Sequence, residues 1–470
     1  MACHGGHLTD FPWVEYVHQG KVPCKPSRLT LREYGAAGDV SDIIVKCLEC
    51  GTDRRMGDAF DSDRFQFKCS GHHPHLRTTE ANGCEENARP ILLGASNSWF
   101  PLVMSALSVP SSSDRLDLLV EQNWVALKDI PSLDVAKYVL APSRMPAFVD
   151  FAVEQIWSHI EGRKQVSKNN AKEETDLKIP EWEVLTQSEP PAVTKEFKAR
   201  KVGPPQGFEA FFEDTVLLER IREVRALIAF TRIESKGDFG DPTYEDDGRE
   251  TPLSRKLSTW LPASEVRGEG IFIRFTETPL QQWEDSSNVR NLEREFFESH
   301  RLWRKLRRLN PLEVGFPGMR YVLIHSLSHV LMRQISLECG YTAASLRERI
   351  YCRLLGQEAG PMAGLMIYTA ASDSEGTLGG LVDLGQPITL GRHLQQALES
   401  IRICASDPLC SEHSPVDHGR GIHGACCHAC LFAPETSCEK GNRFLDRNVL
   451  LETFLGRKTG FFETVFQNVS

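Results

Sequence analysis

Apolar residues recur at helical spacing in several parts of the chain. Phe148, Phe151, Ile156, Trp157 and Ile160 fall on one face across 147–164, and 320–338 (RYVLIHSLSHVLMRQISLE) reads as a strongly apolar helix. The segment 215–228 (TVLLERIREVRALI) has the same spacing and predicts a helix, with 227–233 turning strand-like. Helices are also expected over the charged stretch 287–309, from Ser345 onward, and over 389–403. Partial alternation in 270–276 (GIFIRFT) predicts a strand, and the apolar run 363–369 (AGLMIYT) a buried one. Residues 99–109 and 115–127 are apolar-periodic as well.

The gaps between these stretches divide the chain. Residues 1–93 are loop-rich and dense in Gly, Pro, His and Cys, so they bury little and need a staple. A helical region follows at 94–165, then a polar stretch at 166–206 that reads as a charged linker or excursion. A central α+β region is expected at 207–316 and a C-terminal domain at 317–470, with a Cys-rich module at 404–438. The fold class is therefore α+β and multi-domain, without an internal repeat of fixed period.

Composition narrows the chemistry. The 470 residues include 54 Lys+Arg and 64 Asp+Glu, a formal charge of −10, which excludes a uniformly basic nucleic-acid coat but not a local basic face. No run of about 18 apolar residues occurs and the start MACHGGHLTD lacks a signal-peptide core, so a cytoplasmic protein without a membrane partner is expected. There are 14 cysteines, six before residue 85 and six after residue 403, with Cys339 and Cys352 between. Clustered thiols without a secretion signal point to metal rather than disulfides.

Cys47-Leu48-Glu49-Cys50 is a tight knuckle whose two thiolates can face one ion, with Cys69 and Cys84 completing four ligands and His72, His73 and His75 as competitors. Cys427-His428-Ala429-Cys430 is a second knuckle, with Cys410 and Cys438 as partners and Cys404 and Cys426 as alternatives. Two structural zinc sites are expected. Cys3, His4, His7, His18 and Cys24 are candidates for another, at looser spacing.

Other constellations are weaker. His325 and His329 share a helix face, but Ser326 stands where a zinc protease has Glu, so packing inside the helix bundle is the expectation. Gly376, Gly379 and Gly380 form a turn not followed by Lys-Ser/Thr, and Gly456-Arg457-Lys458-Thr459 lacks the upstream glycine of a phosphate-binding loop. A helix over 301–308 would project Arg301, Arg304, Lys305, Arg307 and Arg308 around Trp303 as a nucleic-acid contact, unless Glu293, Glu295 and Glu298 balance them. A metal-dependent nuclease or hydrolase built from His325, His329, Asp373 and Glu375 is one competing class, and an interaction scaffold with no DNA role is another.

Residues 321–352 (YVLIHSLSHVLMRQISLECGYTAASLRERIYC), 364–382 (GLMIYTAASDSEGTLGGLV) and 427–447 (CHACLFAPETSCEKGNRFLDR) resemble the MrfA-type zinc-binding domain found beside or within helicases. CHGGHLTDFPWVEYVH at 3–18, GASNSWFPLVMSALSVP at 94–110 and LLERIREVRALIAFTRIE at 217–234 resemble the DrmB-like family of the DISARM anti-phage system. The resemblance implies a non-catalytic partner of a DrmA-like helicase that helps engage DNA. It implies that Cys410, Cys427, Cys430 and Cys438 are the zinc cysteines of the C-terminal domain, and it puts Cys47, Cys50, Cys69 and Cys84 in the family's N-terminal cysteine region. Family chains also carry a further N-terminal segment of about a domain's size, so the sequence is expected to begin inside a longer one.

Overall fold

The computed structural model describes all residues except 36–37, 93, 111–115, 117–118, 121–122, 142–143, 150, 167–175, 189–192, 236–248, 257, 308, 355–359, 370–379, 417–420, 454 and 468–470. The N-terminal module contains helix α1 (Trp13–His18) and an antiparallel sheet of β1 (Leu29–Glu33), β2 (Ile43–Cys47) and β3 (Asp53–Arg55). Its two cores are small. One gathers Tyr16, Val17, Val45, Cys47, Met56 and Ala59, the other Met1, Cys3, Cys69 and Ala88, so cysteines themselves sit where aliphatic residues would.

Strand β4 (Phe100–Leu107) leads into helices α2 (Leu133–Val139) and α3 (Val153–Val166), which enclose a separate apolar cluster including Phe148, Ile156 and Ile160. Helix α4 (Lys178–Leu185) and strand β5 (Lys198–Val202) come next. Both lie in 166–206, the stretch expected to be a charged linker or excursion. What looked like linker composition is Lys178 and Glu181 buried as ion-pair partners.

The centre of the molecule is an antiparallel sheet ordered around β6 (Phe212–Thr231) and β7 (Ala263–Phe275). After helices α5 (Glu277–Glu284), α6 (Ser287–Leu306) and α7 (Gly318–Cys339), β8 (Leu346–Arg353) and β9 (Met362–Thr369) join it, and helix α8 (Pro387–Ser400) follows. β6 pairs with β7 along one edge and with β5 and β4 along the other; β9 lies between β7 and β8.

The sheet is covered on both faces, and side chains alternate between them as strand geometry requires. Leu217, Ile271, Ile273, Leu365 and Ile367 enter the main core under α7; Val216, Leu218, Phe272, Met366 and Tyr368 enter a second core that Val184 and Leu185 of α4 close. α7 is buried almost all round, as expected of a helix apolar on every side. It ends at Gly340, whose φ of 69° supplies the left-handed cap.

Two sequence expectations fail here, each for its own reason. The stretch 215–228 is strand, not helix. A bulge between Leu218 and Ile221 inserts one residue against β7, so the alternation slips and Leu217, Leu218, Ile221 and Val224 come to mimic helical spacing. The helix expected from Ser345 is β8, where charged residues hide the period: Glu348 is buried on one face and Arg349 on the other.

Arg349 donates from Nε and Nη2 to Glu181 at 2.5 and 2.8 Å, and Glu181 also accepts from the Tyr351 hydroxyl at 2.9 Å and the Leu107 amide at 2.9 Å. Breaking a buried pair by removing one partner costs about 3–5 kcal/mol. Glu181→Gln should therefore destabilise the protein by about that amount in urea denaturation, whereas Asp285→Asn, which removes the exposed Arg290 pair, should change it by less than about 1 kcal/mol.

Candidate metal centres

Four separate tetrads of Cys, His and Glu donors lie among the described residues, the donor atoms of each within 4.8 Å of one another. In the first, a tight turn at Gly5-Gly6 folds Cys3 and His7 together, with Cys3 Sγ 3.3 Å from His7 Nδ1. Cys69 and Cys84 flank a short ladder of Phe67–Lys68 with Asn87–Ala88 and complete the group. His7 Nε2 is 2.9 Å from a Glu80 carboxylate oxygen, on the side of the ring away from the thiols. A carboxylate behind a ligating imidazole is the usual outer partner of a zinc histidine.

The second tetrad is His18, Cys24, Cys47 and Cys50. His18 ends α1, and its Nδ1–H donates to the Val14 carbonyl at 2.6 Å. Its Nε2 is buried without a hydrogen-bond partner, an orphaned lone pair aimed at thiols. Cys47 closes β2 and Cys50 follows across the knuckle turn, where the Gly51 amide donates to the Cys47 carbonyl at 3.0 Å. The Thr52 hydroxyl, 3.3 Å from Cys50 Sγ, helps hold that thiol down to about 6.

The third tetrad is Cys404, Cys410, Cys427 and Cys430. Sulfur separations are 3.4 Å for Cys404–Cys427 and 3.7 Å for both Cys410–Cys430 and Cys427–Cys430. Tetrahedral zinc at 2.3 Å from each sulfur sets an S···S edge of about 3.8 Å, so the cage matches. Backbone amides already face the sulfurs: Cys427 N–H donates to Cys430 Sγ at 3.2 Å and Ser406 N–H to Cys404 Sγ at 3.4 Å. The neighbouring Cys410 thiol, with help from the Cys427 amide, brings the Cys430 thiol down to about 5.

These groupings correct the sequence expectation. Cys47 and Cys50 do not share a site with Cys69 and Cys84. Each pair is completed by residues before position 25, because α1 and the turn at Gly5-Gly6 deliver one Cys/His pair to each. The loosely spaced set Cys3, His7, His18 and Cys24 is thus divided between two sites, and His4 belongs to neither. At the other end Cys404 takes the place given to Cys438, while Cys426 is buried in the main core, where burial pushes its thiol far up.

Cys438 sits instead with His325, His329 and Glu348 in a fourth tetrad inside the C-terminal domain. The histidines had been expected to pack quietly, and nothing in the sequence marked Glu348. Asp373, Glu375 and the turn at Gly376 and Gly379 lie outside the described residues.

The basic stripe is not a free cationic face. Arg304 is buried and its Nε donates to the Pro311 carbonyl at 2.7 Å. Arg307 lies over the Trp303 ring at 4.2 Å and donates from Nε to both Glu234 carboxylate oxygens at 3.0 Å, and Arg301 pairs with Glu298 at 3.1 Å. Lys305 is exposed, and Arg308 lies outside the described residues. Of the stripe, Arg304 shares the buried side of α6 with Leu292 and Phe296.

Comparison with known proteins places these clusters. Residues 1–100 match a family described as Domain of unknown function (DUF8724), and residues 327–431 match the MrfA Zn-binding domain. The chain is 31% identical over 481 aligned positions to the DISARM protein DrmB of Bacillus paralicheniformis, covering 98% of this chain and 82% of that protein. The crystal structure of the DUF1998 helicase MrfA bound to DNA overlaps half of this chain (50%) and 24% of its own, at 12% identity and a TM-score of 0.22, an overlap too slight to transfer a fold. The chain thus carries an MrfA Zn-binding domain and several Cys/His clusters able to hold zinc.

Separate N-terminal sites have a direct consequence. Cys24→Ser and Cys69→Ser should each remove one zinc per chain by elemental analysis, and the double variant two. Each loss withdraws binding free energy on the order of 10 kcal/mol from the module. In a single site of Cys47, Cys50, Cys69 and Cys84, Cys24→Ser would leave the count unchanged.

Proposed function

The chain belongs to the family of the DISARM protein DrmB, and from that membership we propose that it is a non-catalytic, zinc-stapled subunit of an anti-phage defence complex. It holds a DrmA-like helicase and helps that partner engage DNA. The observation that carries the reading is the closure of the cysteine-rich tetrads: each supplies four protein donors to one point. A zinc site of that kind shapes the chain, whereas a hydrolytic zinc keeps a position open for water.

Charge supports the division of labour. With a formal charge of −10 and most of the candidate basic stripe tied up internally, the chain is poorly suited to neutralise many phosphates itself. Its contribution is to tether: a scaffold bound to the helicase raises the local concentration of every contact the complex makes with DNA. None of the described helices is long and apolar enough to cross a membrane.

Co-expression with the helicase should yield a complex that elutes together. In that complex, DNA-stimulated ATP hydrolysis should reach half-maximum at a several-fold lower DNA concentration than for the helicase alone. Separate elution, or an unchanged DNA dependence in the mixture, would overturn the assignment.

A further inference from the structure

His325, His329, Glu348 and Cys438 are not explained by the knuckle sites or by a tethering role. From them we infer a further metal site: a zinc ion at the centre of the C-terminal domain, held by two imidazoles, one carboxylate and one thiolate. Four-residue spacing puts both histidines on one side of α7. That side packs on β8, whose alternation turns Glu348 toward the helix together with Leu346 and Ile350. Cys438 arrives from a loop 113 residues beyond His325.

The two rings are fixed by their other nitrogens. His325 Nδ1–H donates to the Phe444 carbonyl at 3.3 Å and His329 Nδ1–H to the Leu431 carbonyl at 2.7 Å. Both Nε2 atoms therefore face inward. His325 Nε2 is 3.1 Å from Cys438 Sγ and 3.1 Å from a Glu348 oxygen, and His329 Nε2 is 3.5 Å from that same oxygen. Zinc bonds of about 2.0–2.3 Å to N, O and S give tetrahedral edges of about 3.3–3.6 Å, so separations of 3.1–3.5 Å need only a slight opening to take the ion.

Two alternatives without an ion fit worse. Neutral imidazoles would point lone pairs at a carboxylate. Doubly protonated rings would balance the carboxylate and thiolate, but the geometry does not satisfy them: His329 Nε2 is buried with no hydrogen-bond partner. The side chains of His325, His329 and Glu348 are 0% exposed, where an unpaired polar atom is costly.

A divalent ion satisfies all four donors at once, and Zn²⁺ with one carboxylate and one thiolate is neutral. Neutrality suits this depth. The Cys₄ and Cys₃His sites keep a net negative charge, and each of those groups includes at least one side chain that reaches solvent, such as Cys50, Cys84 or Cys427. Glu348 and Cys438 are also among the residues that line a cavity of about 520 Å³. Four protein donors leave no open position, so the ion is structural: it ties α7, β8 and the Cys438 loop together.

The test uses the full chain as purified. Elemental analysis should give four zinc ions per chain, and Cys438→Ala should lower the count by one while Cys438→His, a replacement ligand, keeps it. Zinc X-ray absorption should report eleven sulfur and five nitrogen or oxygen donors over the four ions of the intact chain. That spectrum decides the matter even if Cys438→Ala fails to fold. A count unaffected by Cys438→Ala, or an average zinc shell with only the donors of the three cysteine-rich tetrads, would overturn the proposal. Neither outcome bears on the helicase reading, which is read from DNA dependence instead.

Discussion

Adjacent opposite charges on a strand covered on both faces govern this architecture. Glu348 and Arg349 follow one another on β8, and the pleat sends them to opposite sides of a sheet that has no solvent face at that point. Neither charge can be left unpaired, because desolvating an isolated ion costs far more than any packing gain nearby. Each therefore needs a partner: Glu181 of α4 for Arg349, and for Glu348, which meets the histidines of α7 and Cys438, the zinc ion proposed at that point. That one pair of residues adds a charge constraint on the register of β8 to the apolar packing that seats α4 on one face and α7 on the other. A slip by one residue would present a carboxylate to Glu181 and a guanidinium to the imidazoles.

Away from the sheet the constraint is a shortage of apolar surface. The N-terminal module buries so few aliphatic side chains that its cores include Cys3, Cys47 and Cys69, and metal ligation makes up for area it does not have. The loop after α8 is held differently. There Arg447, fully buried, donates from Nη1 to the Ile401 carbonyl at 2.7 Å and pairs with Asp407, whose other oxygen accepts from the Cys404 amide at 2.7 Å. The cysteine cage at that end is thus anchored to the main core through charge-assisted hydrogen bonds as well as through its sulfurs.

How much of this the sequence disclosed depends on the range of the interaction. α6, α7, α8, β7 and β9 were legible because their patterns are local and their burial is either one-sided or complete. β6 was not, since a single-residue bulge converts a strand's alternation into a helix's spacing, and β8 was not, since its charges look solvated until their distant partners are known. The mixed α+β class, the MrfA Zn-binding domain and zinc as cofactor were readable from cysteine clustering and resemblance. The grouping of ligands was not, because a knuckle specifies two donors and says nothing of which remote pair closes the cage. His18 left one hint, standing near the end of a short apolar-aromatic run with Cys24 close behind, but spacing alone could not separate it from Cys3 and His7.

The same range argument explains why a run of basic residues is a poor guide to a free cationic face. Arg304 and Arg307 looked like part of a phosphate-contacting stripe because their acceptors (the Pro311 carbonyl and Glu234) lie in a following loop and a separate segment, whereas Glu298, three residues before Arg301, was visible as a balance. In an acidic chain an arginine-rich helix is as apt to serve the fold as a ligand, since guanidinium groups can satisfy carboxylates and carbonyls at several angles at once. Arg320 does so between Glu277, Glu284 and the Arg353 carbonyl, and Arg349 does so in the sheet. Cations spent inside a scaffold are not available outside it, which is why the proposed reading leaves most of the phosphate contact to a partner.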